Sequence, residues 1–349
     1  MKEIYVQAQA DHIASLFKGT PVSAIEELVW NALDADAREV KIDLITNSLG
    51  AVEAVRISDD GTGINIAESE STFGSLGGSW KRRAAEESAE LYRRLHGRNG
   101  RGRFKAFALG GRVEWRTTVR SADGSLKSYV ISGEAERPGV FSLEEAANPG
   151  PGTGTEVYIY NANVNCDSLL AAGETVQTLA AKFALYLKSY SQVRIYFNGL
   201  PVTPVIVQKA QTNYTLHIES GAEAKLELIE WKCKFAGAGR IVFAGKDGFE
   251  LYETASNVRS GGEPFTAYLV SPRFSALAAE NALIMDELNS EVRQYLDAAR
   301  KILKAHFAVS KEDAADLKAF KKEWTARVAA MSAKEQEALL KILKKAMKG

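Results

Sequence analysis

The sequence predicts an α+β chain of two domains and a helical tail, divided at residues 1–165, 166–308 and 309–349. Three observations carry that expectation. A strongly amphipathic helix ending near Asp36 leads into two segments that alternate apolar and polar residues, Val40 to Thr46 and Val52 to Ser58. Composition changes after Asn161, where a new helix pattern over 167–190 precedes an Asn198-Gly199 hairpin signal. A last long amphipathic pattern runs over 281–307, and the Lys- and Ala-rich tail beyond it reads as helix too weakly apolar to form a domain alone.

Taken in order, a short helix precedes a turn at Gly19 to Pro21, and Ser23 with Glu26 three residues later reads as a capping box for the next helix. Within that helix Glu27, Asn31 and Asp34 fall within roughly 60° of one another, a polar stripe with Trp30 at its edge. Ile25, Leu28, Val29, Ala32 and Leu33 form its apolar back. The stripe carries no Lys or Arg to pair its acids, which is unusual for a face that merely meets water. After the two strands, Asp59-Asp60-Gly61-Thr62-Gly63 puts an acid at a strand end beside permissive backbone. Residues 69–102, rich in glycine and charge, read as a lid closing on Gly97, Gly100 and Gly102, with a helix from that cluster to Gly110-Gly111. Strands are expected at Arg112 to Val119, Lys127 to Ser132 and Thr155 to Tyr160, then within 225–235, 240–245, 249–253 and 265–270 of the second domain.

Composition narrows the function classes. The 44 basic residues balance 44 acidic ones, which argues against a protein that coats nucleic acid or anionic membrane over its whole surface. Cys166 and Cys233 lie far apart without metal-ligand spacing and read as idle thiols of a reducing compartment. The first residues lack a signal-peptide core and no run is long enough to span a bilayer, so the chain reads as intracellular, with no membrane partner.

ATP hydrolysis needs a group to orient water, a Mg²⁺ ligand, a base contact and free amides for phosphate. Glu27, Asn31, Asp59 and the Gly97 to Gly102 segment can supply these in turn. Glu27, Asn31, Ala32 and Asp34, then Asp59, Gly61 and Gly63, then Gly97, Gly100 and Gly102, then Gly154-Thr155, in that order, resemble the Bergerat-fold (GHKL) ATPases, the gyrase, heat-shock chaperone, histidine kinase and MutL group. The resemblance covers about residues 1 to 160. It implies an α/β sandwich that binds ATP and Mg²⁺, with Glu27 as general base, Asn31 as the Mg²⁺ ligand, Asp59 on adenine and Thr155 supporting adenine through water. The backbone of Asn99, Gly100, Arg101, Gly102 and Arg103 would meet phosphate. Asp34 and Gly63 are either nucleotide contacts or turn and helix-end residues, and Lys81 is either a lid lysine like that of MORC-type members or a solvated charge.

Glu27 favours an ATPase over a histidine kinase, and no phosphoacceptor helix is evident. The second domain resembles the transducer of gyrase, MutL and MORC proteins, where a Lys or Arg reaches the γ-phosphate; Arg273 and Lys246 are the candidates. The resemblance therefore implies a slow ATPase, most like MORC- or MutL-type members, that dimerises on binding ATP and closes its lid as a clamp or switch. Lys81, Arg82, Arg83, Arg93, Arg94, Arg98, Arg101 and Arg103 make DNA one candidate partner, although Glu86, Glu87 and Glu90 dilute that run. The alternatives are a nucleotide-gated interaction module within a larger assembly and a chaperone-like ATPase. Location follows the partner: cytoplasm, or nucleoid or nucleus if DNA.

Overall fold

The computed structural model describes residues 14–66, 102–147, 150–219, 223–232, 238–246, 248, 250–284 and 289–308. Most of the lid, with Lys81, Asn99, Gly100 and Arg101, lies outside these residues, as do Cys233 and the tail 309–349. Two compact units are present, one of Met1–Lys209 with Lys246–Phe249, the other of Ala210–Gly245 with Glu250–Gly349.

In the first unit helix α1, Pro21–Asp34, buries Ala24, Ile25, Leu28, Val29, Ala32 and Leu33, each no more than 4% exposed. Its cap is Thr20 rather than Ser23: Thr20 Oγ1 accepts from the Ser23 amide at 3.2 Å, and Ser23 Oγ donates back to the Thr20 carbonyl at 2.9 Å. Pro21 explains the shift, since its fixed φ and missing N–H suit the first helical position. Thr20→Ala should cost about 1 kcal/mol, read as a lower urea midpoint that Thr20→Ser restores. Trp30 is not at the edge of the polar stripe but buried, with ring contacts to Phe183 at 4.8 Å and Tyr186 at 5.1 Å. The helix ends with Asp36 in the left-handed region, φ 63°, and the Ala37 amide bonded back to the Ala32 carbonyl at 3.1 Å.

The sheet beneath contains β1 Glu39–Thr46, β2 Val52–Asp59, β3 Gly110–Arg120, β4 Leu126–Glu134, β5 Phe141–Ala146, β6 Gly154–Ala162, β7 Arg194–Phe197 and β8 Leu200–Pro201. Their spatial order is β5-β4-β3-β6-β2-β1-β7-β8. Register places Ile131, Trp115, Val157, Ile57, Ile42 and Phe197 side by side across six strands, all buried. One residue along, Arg116, Glu156, Ser58, Lys41 and Tyr196 line up on the opposite face. This is the in-and-out alternation of a sheet with one covered face, the α/β sandwich expected.

The first unit continues past the expected 165/166 division because β7 pairs with β1 in parallel, Val40 beside Ile195 and Ile42 beside Phe197. Asn198 locks this pairing by donating its amide to the Ile42 carbonyl and accepting from the Leu44 amide, both at 2.7 Å. The Asn198-Gly199 turn has φ of 47° and 75°, the paired positive values of a type I′ hairpin. Its second strand is only Leu200–Pro201, since Pro204 starts a short helix, Pro204–Val207, where more strand was expected. The helical pattern after Asn161 resolves into Ala172–Lys182 and Ala184–Ser189.

The second unit holds β9 Gln208–His217, β10 Glu223–Trp231, β11 Arg240–Ala244, β12 Glu250–Ala255 and β13 Phe265–Val270 in the order β12-β11-β13-β10-β9. Leu226, Leu228, Phe243 and Leu269 from the strands share a core with Phe274, Tyr295, Leu303 and Phe307 from helices. The expected single helix over 281–307 is shorter: its described part spans 290–308, with Asn289 Oδ1 accepting from the Glu291 and Val292 amides at 3.0 Å. A separate helix, Arg273–Ala279, precedes it. No described helix is long and apolar enough to cross a membrane.

Candidate functional site

The C-terminal end of α1, the turn after β2, the start of β6 and the end of β3 converge in the first unit. The Thr62 amide donates to the Ala35 carbonyl at 2.7 Å, and the Thr62 hydroxyl donates to the same oxygen at 3.3 Å. Asp60 Oδ1 accepts from the Arg38 and Glu39 amides at 2.7 and 2.8 Å. These two brackets bind the Asp59–Gly63 turn to the end of α1. Glycine is required at two points of this turn. A Cβ on Gly61 would lie 2.5 Å from the Ala35 carbonyl oxygen, and one on Gly63, φ 80°, would lie 2.4 Å from that of Thr118.

Asp59 sits at the centre. Its Oδ1 accepts from the Gly61 amide at 2.9 Å and the Thr155 amide at 3.2 Å, and both hydrogen bonds it accepts among the described residues fall on that oxygen. Part of the residue's surface is exposed, yet its carboxyl is sunk far enough that desolvation pushes its pKa up to about 6. The two amides pull the other way, and neighbouring Asp60 adds to the rise. The site thus holds a carboxylate at neutral pH whose charge is poorly solvated, which makes a ligand N–H donor an attractive partner.

Asp59, Thr155 and Thr117 are neighbours in register on β2, β6 and β3. Cross-strand partners point to the same face, so these three polar groups form one row on the covered side of the sheet. Thr117 and Thr155 are 1% and 8% exposed, with hydroxyl oxygens 3.2 Å apart. Thr117 Oγ1 also accepts from the Ile64 amide at 2.8 Å, which fixes the chain leaving the turn.

Asp34 is buried at the foot of α1, about one turn below Asn31 and two below Glu27. Glu27 and Asn31 are partly exposed. Among the described residues no group of three His, Cys, Asp or Glu side chains could cage a metal. Asn31 offers a neutral, hard oxygen donor on the helix, the kind of ligand Mg²⁺ accepts when phosphate and water supply the rest. Gly102–Lys105 forms a short helical turn that includes Gly102 and Arg103. Lys105 Nζ donates to the Lys18 carbonyl at 2.7 Å, tying this turn to the chain entering α1, while Phe104 and Phe107 are buried behind it.

The two expected γ-phosphate contacts lie on other segments of the chain. Arg273 belongs to the second unit and forks onto Glu291, with Nε and Nη2 at 2.9 and 2.8 Å from its carboxylate oxygens. That pairing raises the Arg273 pKa and lowers that of Glu291. Lys246 is exposed in the 246–249 segment, which counts with the first unit, and makes none of the hydrogen bonds above. Sequence reasoning passed over Asp60, Thr62 and Thr117. Asp60 had a signal, the second acid of an Asp-Asp-Gly turn; Thr117 had none beyond being a threonine in a strand.

Residues 20–137 match the family model described as histidine kinase-, DNA gyrase B-, and HSP90-like ATPase. The match runs from the cap of α1 into the loop after β4 and takes in Glu27, Asn31, Asp34, Asp59, Gly61, Gly63 and Thr117. No curated protein matches the chain. The acid at the end of β2, bolted to the polar helix and embedded in a one-sided sheet, agrees with that match, and residues 20–137 are similar to the GHKL group of ATPases.

Proposed function

We propose that the chain is a slow Mg²⁺-dependent ATPase in which ATP drives dimerisation and closure of the 69–102 lid, so that nucleotide state sets a clamp or switch. The observation that carries the nucleotide reading is the Asp59 carboxyl, anchored through Oδ1 by the Gly61 and Thr155 amides beside the end of α1. Asp59 takes the exocyclic amine of adenine, and Thr155 assists through water. Asn31 holds Mg²⁺, which supplies charge neutralisation at the phosphates. Glu27, one helical turn before Asn31, orients and deprotonates the attacking water. The amides of 99–103 meet phosphate where the helical turn Gly102–Lys105 begins, with Lys81 as an added lid contact. Of the γ-phosphate candidates, Arg273 would have to exchange the Glu291 carboxylate for phosphate oxygens, whereas exposed Lys246 has no ion pair to give up among the described residues.

The order of strands and terminal helix in the second unit supports a transducer-like, MORC- or MutL-type reading, and the basic run from Lys81 to Arg103 makes DNA the first partner to try. The test follows ATP binding, Mg²⁺-dependent phosphate release and particle mass together. Binding, turnover and a doubling of mass with a non-hydrolysable ATP analogue are expected. Binding without turnover would move the chain to the gated interaction module; no binding would remove the nucleotide reading. DNA retention that weakens steeply with salt would identify the clamp's partner.

A further inference from the structure

The inner face of the first sheet is apolar along one row and polar along the next, where Thr117, Thr155 and Asp59 stand in register. A hydroxyl has one proton to give and two lone pairs to fill. The Thr117 oxygen accepts the Ile64 amide at 2.8 Å, and its own proton has two acceptors in reach, the Gly154 carbonyl at 3.3 Å and the Thr155 hydroxyl at 3.2 Å, where either oxygen can be the donor. A proton given to the carbonyl, the stronger acceptor, leaves a lone pair for the Thr155 hydroxyl, whose side chain has no other hydrogen-bond partner among the described residues.

We propose that Thr117 is a specificity-determining residue of this site: by taking the Thr155 hydroxyl proton it makes Thr155, like Asp59, an acceptor, so that a water donating to both turns only lone pairs to the base, matching a purine with an exocyclic amine and opposing one with a carbonyl there. The inference rests on the ATP-binding reading. Thr117 touches no ligand in this scheme and acts through the direction of a neighbouring proton. It is also placed to hold that direction, being 1% exposed, with the chain after Gly63 bonded to it.

The test compares affinities for ATP and inosine triphosphate, which carries a carbonyl where adenine has its amine. The unsubstituted chain should favour ATP. Thr117→Val keeps the shape but frees the Thr155 proton, and should cut the ATP to inosine triphosphate ratio about tenfold; Thr117→Ser should keep it. Thr155→Val removes the acceptor itself and should cut the ratio as well, which serves if Thr117→Val folds poorly. An equal loss of both ligands in Thr117→Val, with the ratio unchanged, would mean that Thr117 only braces the turn and would overturn the proposal. So would an unsubstituted chain that binds the two alike. An unsubstituted chain that binds neither sinks the ATPase reading itself, a result separable from either.

Discussion

Replacing Glu27 with alanine is expected to leave ATP affinity within a few-fold of the unsubstituted chain and to reduce turnover by about 10²- to 10⁴-fold. The split follows from where the residue lies. Glu27 is on α1 but about two turns from Asp34, so it takes no part in the brackets that hold the Asp59–Gly63 turn. Those run from Thr62 to the Ala35 carbonyl and from Asp60 to the Arg38 and Glu39 amides. Truncating a partly exposed glutamate in the helix leaves them intact, and alanine is the best helix former. Glu27→Gln should behave alike, since it keeps the shape and loses the base. Phosphate release under single-turnover conditions, beside equilibrium binding, reads the two quantities separately. A Glu27→Ala chain that turns over normally would remove Glu27 from the chemistry.

The second large effect is at Asp59. Asp59→Asn keeps an oxygen for the Gly61 and Thr155 amides, so the turn should persist, but it sets an NH₂ where an acceptor stood. Two donors then face each other across the site, and ATP affinity should fall about 100-fold or more. Stability should move the other way. The carboxyl's pKa is about 6 when folded, above its ordinary 3.8, so its favourable contribution is complete only below the unfolded value and is lost as pH rises through 6. At pH 7 the unsubstituted chain therefore carries a desolvation cost that the asparagine lacks, and its thermal midpoint should not exceed that of Asp59→Asn. Binding has the opposite pH dependence to stability, because the acceptor form is the ionised one. Adenosine, with no phosphate to titrate, should bind progressively more weakly as pH falls through about 6, and Asp59→Asn should show no such dependence.

The parts of this site that can be read in the sequence are those with a local signature. Asp59, Gly61 and Gly63 announce themselves because an acid followed by glycines at a strand end has few structural uses, and Glu27, Asn31 and Asp34 share a helix face by spacing alone. Thr117 does not, since threonine is an ordinary strand former and its partners are 38 and 53 residues away in sequence. Ser23 reads as the cap because Glu26 follows three residues later, and it gives way to Thr20 because Pro21 suits the first helical position. The Asn198-Gly199 turn is equally plain in sequence, but nothing local shows which sheet its strand joins, because the partner of β7 is β1. The edge strands Gln208–His217 and Phe141–Ala146 carry few apolar residues, Ala210, Tyr214 and Leu216 in the first and Phe141, Leu143 and Ala146 in the second, and went unseen for that reason. The pairing of Arg273 with Glu291, across 18 residues, was likewise invisible.

The parallel pairing of β1 with β7 also sets a schedule for the chain's own making. While a ribosome has delivered only the residues that carry the ATPase motifs, β1 is a bare edge: the Leu44 amide awaits Asn198, and Ile42 awaits Phe197. Parallel strands so distant along the chain close slowly, and an uncovered strand invites pairing with other molecules. The nascent domain is thus exposed to misassociation until residues beyond 197 emerge. A fragment trimmed at the end of the motif region would be left permanently in that state.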